Sequence, residues 1–222
     1  MSAAPLHHSS RGVLGVMAAL LLLGWVNPSH AEEPAWAVVA QDGGLTIYQR
    51  PHPGSDLQEF KAVGVIQAPT DAVKRVLEDV EAHPQFMPYL KEVRVLSRDA
   101  KSRVSYQRVS PPLIGDRDYT VRVTFDTRRT PEGSFYSSRW QAANDVGPPV
   151  RKGITRVIVT QGSWQLEPAE GGRATRAIYQ IFSDPEGSVP TAIVNAGSRS
   201  AIPKLFAGLR KRVLLPKYST PQ

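Results

Sequence analysis

The sequence predicts an α+β fold: one antiparallel sheet with its helices gathered at two places. Three observations lead there. The stretch RDYTVRVTFD (117–126) alternates, with Tyr119, Val121, Val123 and Phe125 on one face and Asp118, Thr120, Arg122, Thr124 and Asp126 on the other. That is the period of a strand with a dry and a wet face. Further strand-like runs follow one another across turns such as PEG (131–133) and EGG (170–172), spaced for an antiparallel meander. Helical periodicity appears after the first strands and again at the end, not in alternation with strands.

Taken in chain order, residues 1–31 stand apart. Arg11 is the only Lys or Arg before an apolar run over 13–26 that is short for a bilayer span, and SHA (29–31) offers the small residues a signal peptidase reads. The reading is a secretory signal cleaved after Ala31, with an uncleaved N-terminal anchor as the alternative. Residues 32–222 then form one domain, long enough to bury a core. The 222 residues include no cysteine, which excludes disulfides, thiolate metal sites, a thiol nucleophile and lipid anchoring through cysteine. An exported chain of this kind points to a soluble periplasmic protein.

Residues 32–40 read as a short segment, helical as one option, ending at the turn QDGG. Runs 45–50 and 57–66 are strands around PHPGSD. A helix follows, with Pro69 at its first position, Asp71 at its positive end, and a stripe of Val73, Val76, Leu77 and Val80; His83-Pro84 ends it. Strands are expected over 92–96, 102–109, 119–127, 134–141, 154–166 and 173–182. The last helix starts near Ser188 as N-cap and runs to about Leu214, with Pro203 inside it expected to kink or split it. Its candidate inner face, Val189, Ala192, Ile193, Ala196 and Ser200, is lined by small residues. These either leave room over the sheet or let helix and sheet pack closely, and both readings stand.

Three stretches, GDRDYTVRV (115–123), RKGITRVIVTQGSWQLEP (151–168) and IYQIFSDPEGSVPTAIVNAGSRSAIPKLFAGLRKRV (178–213), resemble the START family, named for the steroidogenic acute regulatory protein and its lipid-transfer domain. The Arg117-Asp118-aromatic triplet and the pattern of Gly187, Pro190, Asn195, Pro203, Leu209 and Arg210 carry the resemblance, which spans nearly all of 32–222. It implies a helix-grip fold, a curved antiparallel sheet around a long C-terminal helix, enclosing an apolar tunnel for one lipid such as a sterol or phospholipid, without cofactor or chemistry. The same architecture serves cyclases, hydrolases and hormone receptors. On this reading the ligand-binding residues are Tyr106, Tyr119, Val121, Val123, Phe125, Trp164, Tyr179, Ala192, Ile193, Ala196 and Phe206, with the C-terminal helix and the 142–153 loop as lid. Sterol-carrying members place an arginine where this chain has Val123 and an acid where it has Tyr106 or Gln107. The expected ligand is therefore apolar with few polar anchors.

Enzyme signatures are scarce: no nucleophile elbow, phosphate loop or zinc-binding HExxH occurs. Beyond residue 31 only His52 and His83 remain, each beside a proline and without spaced partners. No catalytic residue, metal or cofactor is assigned. Arg117 and Asp118 read as a structural pair. Lys204, Arg210, Lys211, Arg212 and Lys217, with Arg151 and Lys152, make either a solvated face or a contact with anionic headgroups; no nucleic-acid motif accompanies them. The function expected is periplasmic binding or transfer of one apolar lipid by a monomer. The alternative is a cyclase- or hydrolase-like enzyme with an acidic or histidine side chain in its tunnel.

Overall fold

The computed structural model describes residues 34–219; the signal and anchor readings lie outside them. The chain runs β1 (Ala37–Asp42), β2 (Leu45–Pro51), β3 (Gln58–Ile66), α1 (Thr70–Glu78), a 3₁₀ turn (Val80–Gln85), β4 (Leu90–Arg98), β5 (Ser102–Val109), β6 (Arg117–Thr130), β7 (Gly133–Ala142), β8 (Thr155–Arg156), β9 (Thr160–Ala169), β10 (Ala174–Ser183), α2 (Thr191–Arg212) and α3 (Pro216–Ser219). The strands form one curved sheet in the order β1-β2-β3-β10-β9-β7-β6-β5-β4, antiparallel throughout, with the two-residue β8 parallel on β6. Setting aside the short β8, sequence neighbours pair except at β3–β10, where the first three strands join the last; α1 and the 3₁₀ turn carry the chain across to β4 at the far edge.

Several expectations change. Residues from Ala37 form a strand, not a helix, because Gly43 and Gly44 take positive φ (54° and 70°) and close a two-residue hairpin that pairs Asp42 with Leu45. The run 154–166 is interrupted after Arg156, whose guanidinium turns to Asp118 (Nε–Oδ1 2.6 Å), and pairing resumes at Thr160. Pro203 neither splits α2 nor ends it, and the helix begins at Thr191 behind Pro190 (φ −57°) without a side-chain cap from Ser188. Helix α1 stops at Glu78, and Pro84 sits within the separate 3₁₀ turn.

The core forms where helices meet the inner sheet face. Val73, Val76 and Leu77 of α1 and Ile202, Leu205, Phe206 and Leu209 of α2 bury against Ile47, Phe60, Ala62, Trp164, Leu166 and Ala177. Two glycines set the approach of α2. A Cβ on Gly64 would lie 2.9 Å from Phe206 Cε1, and one on Gly208 would lie 2.7 Å from the Phe86 carbonyl oxygen. Asn195 Oδ1 accepts from the Gln58 N–H (3.1 Å), and Arg210 Nε donates to the Val65 carbonyl (3.1 Å), tying both ends of α2 to β3.

Candidate functional site

The inner face of the sheet does not close on the helices. Two adjoining hollows, about 140 Å³ and 200 Å³, share Met87, Gln107, Tyr119, Tyr179, Ile181 and Leu205. The deeper one reaches Leu77, His83, Arg103, Val121, Val123 and Tyr136; the outer one passes Val109, Ser198 and Ala201 towards the end of the sheet where α2 begins. Alternation puts these groups there: residues 119, 121 and 123 of β6, and 103 and 107 of β5, project to one face.

Five of the expected residues, Tyr119, Val121, Val123, Trp164 and Tyr179, line this hollow. Trp164 and Tyr179 pack with centroids 4.6 Å apart, and Trp140 stacks on Tyr179 at 5.8 Å, so one wall is continuous aromatic surface. Tyr119 Oη donates to Gln107 Oε1 (3.2 Å). Burial pushes the Tyr119 and Tyr136 phenols up to about 12 and raises Tyr179 further, keeping all three neutral.

The other expected residues lie elsewhere. Tyr106 is wholly buried on the opposite, outer face, where its hydroxyl donates to Asp118 Oδ2 (3.1 Å) and Arg94 and Arg151 cover its ring. It is one step out of phase with Gln107, the β5 residue that does face inward. Ala192, Ile193 and Ala196 are exposed, on a half of α2 that buries no side chain and meets β3 through Asn195. Phe125 is half-buried beside the core and Phe206 wholly buried under Trp164 (5.6 Å); neither lines the hollow. The 142–153 loop is not free to be a lid: Asn144 Oδ1 accepts from the Thr120 N–H (2.8 Å), its Nδ2 donates to the Val157 carbonyl (2.8 Å), and a Cβ on Gly147 would lie 2.1 Å from Thr120 Oγ1.

Sequence reasoning missed Arg103 and His83 in the wall. Arg103, opposite Val123 in the β5–β6 ladder, brings a guanidinium inside from the neighbouring strand, a polar group that the alternation of β6 does not reveal. Counting β5 in register from Val109 opposite Arg117 would have put it on the inner face. His83, which the sequence shows only beside a proline and without spaced partners, lines the wall, and burial, then Arg103, hold its pKa down to about 3. Its Nε2 lies 3.1 Å from the Leu77 carbonyl, which only accepts, so the neutral ring carries its proton there. Among the described residues no Asp or Glu lines either hollow, and no cluster of His, Asp and Glu is arranged to hold a metal. Arg117 and Asp118 do structural work: Arg117 donates to the Pro185 carbonyl (3.2 Å), and Asp118 holds Arg156 and Tyr106.

A curved sheet gripping a C-terminal helix over an aromatic-walled hollow defines a small-molecule-binding scaffold of the helix-grip class. The chain belongs to the polyketide cyclase/dehydrase and lipid transport family, whose model matches residues 66–210. It is 27% identical to the STAR-related lipid transfer protein of Xanthomonas axonopodis, with a TM-score of 0.71 over 81% of this chain and 99% of that one. Among curated proteins it is 26% identical to an uncharacterized protein of Pseudomonas aeruginosa (90% of this chain, 96% of the relative). It is also 25% identical to the mouse phosphatidylcholine transfer protein (79% and 82%).

Proposed function

We propose that the protein binds one apolar lipid in the interior hollow and carries it through the periplasm as a monomer, without chemistry. The observation that supports this most is the wall itself: Trp140, Trp164 and Tyr179 line unfilled space on the inner face of the sheet. Burial of a chain there would supply about 0.8 kcal/mol per methylene. The lid is the first half of α2, not the strapped 142–153 loop.

The loading face is the end where α2 begins. There the loops 110–116, 143–159 and 184–190 meet through Arg117 and through the Asp184 N–H to Val159 carbonyl bond. Leu113 stands there 89% exposed at a φ of 72°, with Val150, Ile158 and Ile193 also exposed. This face, with Lys152, suits an anionic bilayer better than the C-terminal cations do. Of those, Arg210 is engaged with Val65, Arg212 with Gln85, and Lys217 with Asp79.

The cyclase reading has one observation in its favour, His83 in the wall, but that ring is neutral and its proton is bound to a carbonyl. Native mass spectrometry of the protein from its own cells tests the carrier reading. One lipid per chain is expected, and protein that stays bare after incubation with phospholipid and fatty acid would overturn it.

A further inference from the structure

The deep end of the hollow holds a cation that an apolar ligand leaves unused. Arg103 is 6% exposed, and among the described residues no carboxylate comes within 4.0 Å of it. Its Nε has no hydrogen-bond partner. The acidic groups nearest in effect are engaged elsewhere, Glu78 with Lys74 (3.8 Å) and Glu81 with Arg98 (3.2 Å). Ser105, two residues along on the same face of β5, is fully buried with its Oγ also unpartnered, and Gln107 follows with the Tyr119 hydroxyl. Arginine stays protonated in proteins, so a buried, unpaired guanidinium is a standing cost unless an anion meets it.

Resting on the carrier reading, we propose that the ligand is a single-chain amphiphile with an anionic head, carboxylate or phosphate. It enters head first and pairs with Arg103, and its chain lies along Trp140, Trp164 and Tyr179 towards Val109 and Ala201. The ladder places the guanidinium at the closed end, beside Leu77, His83 and Tyr136, so the head is the part that penetrates furthest. The narrowness of the hollows, about 140 Å³ and 200 Å³, favours one chain over two.

Titration of tryptophan fluorescence in the full protein tests this with hexadecanoate, hexadecyl phosphate and hexadecanol, which share a chain and differ in the head. At least one of the two anions should bind about tenfold tighter than the alcohol, the gain of a hydrogen-bonded charge pair. The anion with the larger gain identifies the head. Arg103→Gln should abolish the preference and Arg103→Lys should retain part of it. Equal binding of anions and alcohol by the wild type would overturn the proposal while leaving the carrier reading intact. A preference that survives in Arg103→Gln would do the same, whereas binding of none of the three would overturn the proposal, and the carrier reading falls with it only if phospholipid also fails to load. Should Arg103→Gln fail to fold, the wild-type comparison with Arg103→Lys decides alone.

Discussion

From Ile202 onward α2 is clamped to the sheet by Ile202, Leu205, Phe206 and Leu209, whereas from Thr191 to Ser200 the same helix has no buried residue. The boundary falls beside Pro203. Lacking an N–H, Pro203 leaves the Arg199 carbonyl without its usual i+4 donor, so the hydrogen-bond ladder is weakest where the two halves meet. The second half is held by packing, the first by little beyond the Asn195–Gln58 bond, and the outer hollow meets α2 where the halves join, at Ser198, Ala201, Ile202 and Leu205. One helix thus serves as both anchor and cover. The difference lies in burial: Ile202, Leu205, Phe206 and Leu209 turn into the core, and no residue of 191–200 does.

The largest effect should come from breaking the anchor. Phe206→Ala removes a wholly buried ring and should cost about 3–5 kcal/mol in denaturant unfolding. Gly64→Ala attacks the same contact from the sheet side: its Cβ would lie 2.9 Å from Phe206 Cε1, and a loss of about 1–3 kcal/mol is expected by the same assay. Next comes His83, whose folded pKa of about 3 lies below its ordinary 6.5. Below pH 6.5 the unfolded chain takes up a proton that the folded one refuses, so its contribution is full above that pH and is lost as pH falls towards 3. The slope should approach about 1.4 kcal/mol per pH unit, and His83→Leu should flatten it in unfolding series at successive pH values. The smallest effect belongs to the cover. Ile193→Ser should change stability by no more than about 0.5 kcal/mol, a null result that sharpens the contrast with Phe206.

How far the sequence disclosed this division depends on the residue. Most strands followed from turn spacing and the inward face of 119–125 from alternation, and the C-terminal helix from its length, although the Ser188 cap does not form. Its small-residue stripe is legible and suggests an inner face, yet Ala192, Ile193 and Ala196 lie exposed. Periodicity reports which residues share a face but not how far a helix extends past the sheet. Tyr106 failed for a related reason: both it and Gln107 suit a strand, and only the pairing of Val109 with Arg117 fixes which one faces in. Arg103 was invisible because a buried charge contradicts the rule that charges mark the wet face, and such violations gather where ligands bind.

The claim that α2 joins a fixed anchor to a yielding cover over a lipid site is tested most directly by amide hydrogen exchange along the helix, with and without bound hexadecanoate. The expected result is rapid exchange over 191–200 in the empty protein, strong protection of the same amides on loading, and slow exchange over 204–212 in both states. Uniform exchange along the helix, or a pattern indifferent to ligand, would contradict it.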